Sequence, residues 1–153
     1  MVTSTFIAVV LVSLTVLIHY ESLRLTANII PKLNIPARTR IIVVIMGAFI
    51  AHIIEIHVYA AAYFLMATQW GLGELKHFTG AIDGNFDDYI YYSMVSYTSL
   101  GLGDVWPKGG LRLVTGVEAL NGLILIAWTA SFTYLAMEKF WVLPHSRRKK
   151  KSK

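Results

Sequence analysis

The 153-residue sequence contains no cysteine and little charge: 15% of its residues are Asp, Glu, Lys or Arg, against about 25% in soluble domains. Without cysteine there is no disulfide framework, zinc–thiolate site or thiolate nucleophile, and the redox compartment is left open. The scarcity of charge comes with 56% hydrophobic residues and a mean hydropathy of +0.56. A soluble fold of this size could not hide so much apolar surface. At this length one domain is the limit, so a soluble enzyme with separate cofactor and substrate domains is excluded too. What remains is a small integral membrane protein.

Acidic residues are few, nine against fourteen Lys and Arg, and the resulting charge of +5 is unevenly spread. Eleven of the fourteen basic residues fall in two clusters: Arg24, Lys32, Arg38 and Arg40, then Lys139, Arg147, Arg148, Lys149, Lys150, Lys151 and Lys153. A basic run directly behind an apolar helix reads as a cytoplasmic anchor. Arg147, Arg148, Lys149, Lys150 and Lys151 are therefore expected to meet anionic lipid headgroups, and no nucleic acid partner is expected.

A bilayer core needs about 20 helical residues, and three stretches meet that length. The first, within 1–28 and most apolar over 5–25, is read as an N-terminal membrane helix. A cleaved signal peptide fits less well, because the segment lacks a basic start and a small-x-small cleavage site. Pro31 and Pro36 bound the basic linker 29–40. The second span is expected over 41–68 with Trp70 and Gly71 at its exit, and the third over 111–141, stopped by Pro144 ahead of the tail 142–153.

Between them, 71–110 is too polar to cross as a helix. Within it, residues 86–98 form a short apolar run behind Asp87 and Asp88, with Asn85 placed as N-cap. About 13 residues make roughly 20 Å of helix, which enters a membrane without leaving the far side. With both basic clusters cytoplasmic, two full spans and one re-entrant segment separate them, and the N-terminus lies outside. The fold expected is an all-α integral membrane protein: three transmembrane helices, an extracellular loop over 69–84, a pore helix over 85–98 and a filter loop over 99–104, in the cell membrane.

The most informative stretch runs Ser96-Tyr97-Thr98-Ser99-Leu100-Gly101-Leu102-Gly103-Asp104. Irregular backbone at membrane depth is tolerated only where it is buried in protein or lines a wet cavity. Two glycines one residue apart let alternating residues take φ > 0, so that successive carbonyls face one axis and replace the hydration shell of a monovalent cation. This stretch resembles the pore loop of the potassium channel family, whose usual filter reads Thr-Val-Gly-Tyr-Gly-Asp. Ser99 stands at the threonine, Leu100 at the valine, Gly101 at the first glycine, Leu102 at the tyrosine, Gly103 at the second glycine and Asp104 at the aspartate. Three of the six positions differ. Leucine at the tyrosine position is similar to the second pore loop of some two-pore-domain potassium channels, and Ser99 still offers a hydroxyl.

The resemblance covers about 85–137, with the second span as a generic outer helix. It implies a homotetramer that passes a monovalent cation, most simply potassium, through carbonyls of Ser99, Leu100, Gly101, Leu102 and Gly103. It implies no cofactor besides the permeant ion and no enzymatic activity. Thr98, Asp104, Tyr91 and Tyr92 would support the filter. Tyr89, Tyr91, Tyr92 and Tyr97 resemble an aromatic cuff, although an interfacial tyrosine cluster would look the same. Gly122 falls where the family often carries a hinge glycine, with helix packing as an equal alternative, and Leu123, Ile126 and Ala130 would face the cavity.

Ionisable groups in membrane helices single out His52, Glu55 and Glu118, and with Asn121 they are expected to form one buried polar network. Such a network either pins the helices together or lets Glu118 tune conduction. His19, His52, His57 and His77 also leave a metal or haem site open. Other readings are a non-selective cation channel, a membrane enzyme or redox subunit built on the buried His and Glu residues, and an accessory subunit. No arginine repeat marks a voltage sensor, and the tail is too short for a soluble ligand-binding domain.

Overall fold

In the computed structural model of the chain, residues 1–78, 80–81 and 84–140 are described. The basic tail, with Arg147, Arg148, Lys149, Lys150 and Lys151, lies outside them. Helix α1 (Val2–Ile29) passes through a 3₁₀ turn (Ile30–Lys32) into α2 (Ala37–Thr68). Strands β1 (Gly73–His77) and β2 (Gly80–Ala81), the short helix α3 (Phe86–Tyr97), strand β3 (Val105–Gly109) and helix α4 (Leu111–Phe140) follow.

Three of the helices are long and apolar enough to cross a membrane. Each is apolar around most of its circumference, with Phe6, Leu17, Ile42, Phe49, Leu120 and Leu135 all exposed on the single chain, as suits lipid or a neighbouring copy rather than water. At 1.5 Å per residue the 28 residues of α1 reach about 42 Å, beyond the hydrocarbon core. Proline ends the first helix and starts the second. Pro31 sits in the 3₁₀ turn, and Pro36 is the N-cap of α2 in extended geometry, where a missing N–H breaks no helical bond.

Polar side chains are built into the apolar interior, among them Thr15, His19, Glu55, Glu118 and Asn121. The buried residues of α1 are Ser4, Ala8, Leu11, Thr15, His19, Leu23 and Thr26, a single stripe at steps of three or four residues. Small and hydroxyl side chains on that stripe allow close approach and interhelical hydrogen bonds, which replace the hydrophobic drive that lipid removes. Around it pack Tyr59, Tyr63, Met66, Tyr97, Leu111, Val114 and Leu125.

Strands occupy part of the loop expected over 69–84. It carries β1, which pairs antiparallel with β3 from Gly73 opposite Gly109 to His77 opposite Val105, while β2 pairs on the other edge. Five-residue strands with a proline and two glycines among their partners leave no alternation to read. The consequence is architectural: the sheet joins the chain just before α3 to the chain just after residue 104. The opposite end of the bundle is closed where the Arg40 guanidinium stacks 5.5 Å from the Phe140 ring.

Candidate functional site: the re-entrant loop

Twelve residues make α3 about 18 Å long, half a membrane. Asn85 occupies its N-cap, but the side chain makes no capping bond. Its carbonyl accepts from the Asp88 amide at 3.1 Å, and Asp87 and Asp88 supply negative charge to the first turn. The other end closes as a Schellman motif. The Ser99 N–H donates to the Ser96 carbonyl at 2.9 Å and the Leu100 N–H to that of Val95 at 3.0 Å. That motif needs a left-handed residue at its corner, and Ser99 supplies it with φ of 57°.

Beyond the corner, Gly101 and Gly103 have φ of 58° and 77°, so positions 99, 101 and 103 are left-handed while Leu100 and Leu102 are not. The alternation expected from two glycines thus begins two residues earlier, at Ser99. Serine tolerates this conformation better than a β-branched threonine would, which accounts for one departure from the usual filter. Leu100 and Leu102 project 63% and 59% exposed from the single chain. The Thr98 hydroxyl turns back to the Met94 carbonyl at 2.8 Å.

The four tyrosines divide. The Tyr91 hydroxyl donates to Asp104 Oδ2 at 2.6 Å, and the Val105 amide donates to Asp104 Oδ1 at 3.0 Å. The Tyr91 hydrogen bond holds the Asp104 carboxyl below its usual value of 3.8. Tyr92 meets the Thr115 hydroxyl on α4 at 2.7 Å, Tyr97 meets Glu55 on α2, and Tyr89 packs edge-on against Phe64. Only Tyr91 among them bonds through its hydroxyl to the stretch 99–104. The others fasten α3 to the spanning helices.

His52, Glu55, Glu118 and Asn121 are not one network but three sets. Glu118, fully buried, accepts from Tyr63 at 2.5 Å and from Ser93 at 2.6 Å. Asn121 donates to the Thr15 and Tyr59 hydroxyls at 2.9 and 3.2 Å. Glu55 Oε1 faces His19 Nδ1 at 2.9 Å, and Glu55 Oε2 takes the Tyr97 hydroxyl at 2.5 Å and faces His52 Nδ1 at 3.2 Å. The error was one of depth. Antiparallel α2 and α4 set Tyr63 beside Glu118, Tyr59 beside Asn121 and His52 beside Thr129, which puts Glu55 about two helical turns, roughly 11 Å, from the level of Glu118. His19, which the sequence offers only as a possible ligand, takes its place in the interior from the α1 stripe.

On α4, Gly122 is buried, and a Cβ there would run into the Tyr97 carbonyl oxygen. Its smallness lets α4 meet the end of α3. Leu123, Ile126 and Ala130 are exposed on the single chain.

A family model described as "Ion channel" matches residues 38–139, two thirds of the chain. The chain belongs to this ion channel family, with a two-transmembrane, potassium-channel-type pore domain. No curated protein and no solved structure matches it. The channel domain takes in α2 through nearly all of α4 and leaves α1 as an additional helix. Membership makes the protein a channel of the membrane rather than an enzyme.

Two outcomes follow for this channel. The Ser93 hydroxyl lies 2.9 Å from the Ile56 carbonyl as well as 2.6 Å from Glu118. Ser93 thus has one proton for two acceptors while Tyr63 makes the third contact, and a glutamine at 118 can accept from Tyr63 and donate to Ser93. Glu118→Gln keeps all three and should change unfolding free energy by less than about 1 kcal/mol, whereas Glu118→Ala should cost about 2–4 kcal/mol, read by chemical denaturation in detergent. At the mouth, the lowered Asp104 carboxyl means that its bond to Tyr91 stabilises the protein above the unfolded value and that this is lost as pH falls through the folded one. Tyr91→Phe should raise the Asp104 titration midpoint toward 3.8, followed by carbon-13 NMR of labelled aspartate.

Proposed function

We propose that the chain conducts potassium passively, as a homotetramer whose shared axis is lined by the carbonyls of residues 99–103. The observation that carries this is the left-handed alternation at Ser99, Gly101 and Gly103 at the tip of a half-membrane helix. Alternating backbone handedness turns successive carbonyls to one side, the requirement for dehydrating a monovalent cation. One chain supplies one wall. Closing a ring about the axis takes identical copies, and rotational symmetry is the ordinary way to supply them. The exposed Leu100, Leu102, Leu123 and Ile126 are apolar surface that neighbouring copies would cover. The α3 carboxyl end, with its partial negative charge, then points toward the cavity.

The purified protein in liposomes is expected to pass potassium down its gradient and sodium less well. Gly101→Ala adds a methyl at a left-handed residue and should abolish flux, while Leu102→Tyr should keep it. Equal potassium and sodium flux would make the pore a non-selective cation channel. No flux of either ion from a correctly assembled protein, across pH, lipid composition and voltage, would overturn the reading.

The proposed orientation puts the filter and the N-terminus outside and both basic clusters in the cytoplasm of the cell, with Arg147, Arg148, Lys149, Lys150 and Lys151 on anionic headgroups. It is supported by the packing of Ser4 beside Gly110 at one end of the bundle and of Arg40 on Phe140 at the other. Because the chain has no cysteine, single cysteines can report it. A membrane-impermeant reagent applied to intact cells should label Ser4→Cys and Gly80→Cys but neither Asn34→Cys nor Ser152→Cys.

A further inference from the structure

The side chains of His19, His52, Glu55, Tyr97 and Thr129 come from all four helices and form a closed circuit. Both imidazole Nδ1 atoms face the Glu55 carboxylate, at 2.9 and 3.2 Å. Both Nε2 atoms face the single Thr129 hydroxyl, from His19 at 3.2 Å and from His52 at 2.9 Å. The Tyr97 oxygen lies 2.5 Å from Glu55 and 2.8 Å from His52 Nδ1. His19 and Glu55 are fully buried, and Trp128 packs 5.3 Å from the His19 ring.

Thr129 has one proton and cannot donate to both rings, so at least one ring presents Nε2–H to it. The Nδ1 of that ring then faces a carboxylate oxygen with no proton of its own to share, a gap that a second proton or a metal ion can bridge; at His52 the Tyr97 hydroxyl also lies 2.8 Å from Nδ1. The donor atoms of His19, His52 and Glu55 all lie within 4.8 Å of one another. Ligands bonded at about 2.0–2.1 Å around a tetrahedral ion stand roughly 3.3 Å apart, close to the 2.9 and 3.2 Å of the two His–Glu55 contacts, whereas the Tyr97 oxygen, 2.5 Å from Glu55, has to move outward to bind. We propose that His19, His52 and Glu55, completed by the Tyr97 oxygen, form a binding site for a divalent transition-metal ion of the zinc class that joins α1, α2 and α3.

Two imidazoles and a carboxylate select such an ion over potassium, magnesium or calcium, which prefer all-oxygen shells. In the bound state each ring would donate Nε2–H to a Thr129 lone pair, the outer hydrogen bond that metal-ligating histidines ordinarily have. The charges also balance. Filled with protons, the circuit has three shared by His19, His52 and Glu55, one on Tyr97, and no net charge. Filled with a divalent ion, it holds two neutral rings, a carboxylate and a tyrosinate, again with no net charge. The exchange releases two protons to solvent for each ion bound, so it leaves no uncompensated charge in the membrane interior.

The test uses the purified full chain in detergent, with Co²⁺ and Zn²⁺ as probes. Co²⁺ should give the visible d–d bands of a four-coordinate nitrogen and oxygen site, bleached by stoichiometric Zn²⁺, with release of about two protons per ion in weak buffer. Thr129→Val should weaken Zn²⁺ by about 10–100-fold, and His19→Gln by more, whereas His57→Gln, outside the circuit, should leave it unchanged. Wild type without Co²⁺ bands, or with Zn²⁺ uptake equal to that of His19→Gln, would mean that the circuit holds protons only and would overturn the proposal. The wild-type spectrum decides the matter even where a variant fails to fold, and it is independent of whether the protein conducts.

Discussion

A chain that enters a membrane, turns and leaves by the same side has backbone groups at a depth where no bulk water can satisfy them, and the fold is organised around that requirement. The turn at the end of α3 uses its own helix carbonyls, through Ser99 and Leu100, and the two ends of the re-entrant segment are held by different means. Beyond the helix ends, β1 and β3 pair across it with ordinary strand hydrogen bonds. Inside, α3 hangs on two carboxylates, Glu118 through Ser93 and Glu55 through Tyr97. A hydrogen bond between helices avoids leaving a polar group bare in hydrocarbon, and these contacts add to the packing of a short helix whose Tyr89, Tyr92, Ser93, Ser96 and Tyr97 are buried.

Much of this was legible before the structure. Runs of apolar residue at membrane length, proline at the linker and the glycine pair behind a half-length helix are local signals, and α1, α2, α3 and α4 lie close to where they point. The sheet was not legible, because β1 and β3 pair residues some 30 positions apart and neither strand carries an alternating pattern. The polar network was half legible. Rarity of charge in membrane helices singles out Glu55 and Glu118, but which side chain each one meets depends on how far α2 slides against α4, and composition has no information on that. His19 shows the same limit: its burial depends on the rotation of α1, and a helix apolar all round does not announce which face turns inward.

The additional helix is also more than an appendage to the channel domain. Asn121 and Glu55 lie within that domain, yet Asn121 gives a proton to Thr15 and Glu55 Oε1 faces His19, both on α1. Take α1 away and each loses a polar contact in a place where lipid offers none in exchange. Gly47 makes the same point sterically, since a Cβ there would lie 2.6 Å from the Thr26 hydroxyl. The pore domain is therefore shaped to α1, in small residues as well as in polar ones. Because Glu55 also takes the Tyr97 hydroxyl, two residues before Ser99, α1 and the carboxyl end of α3 share one carboxylate.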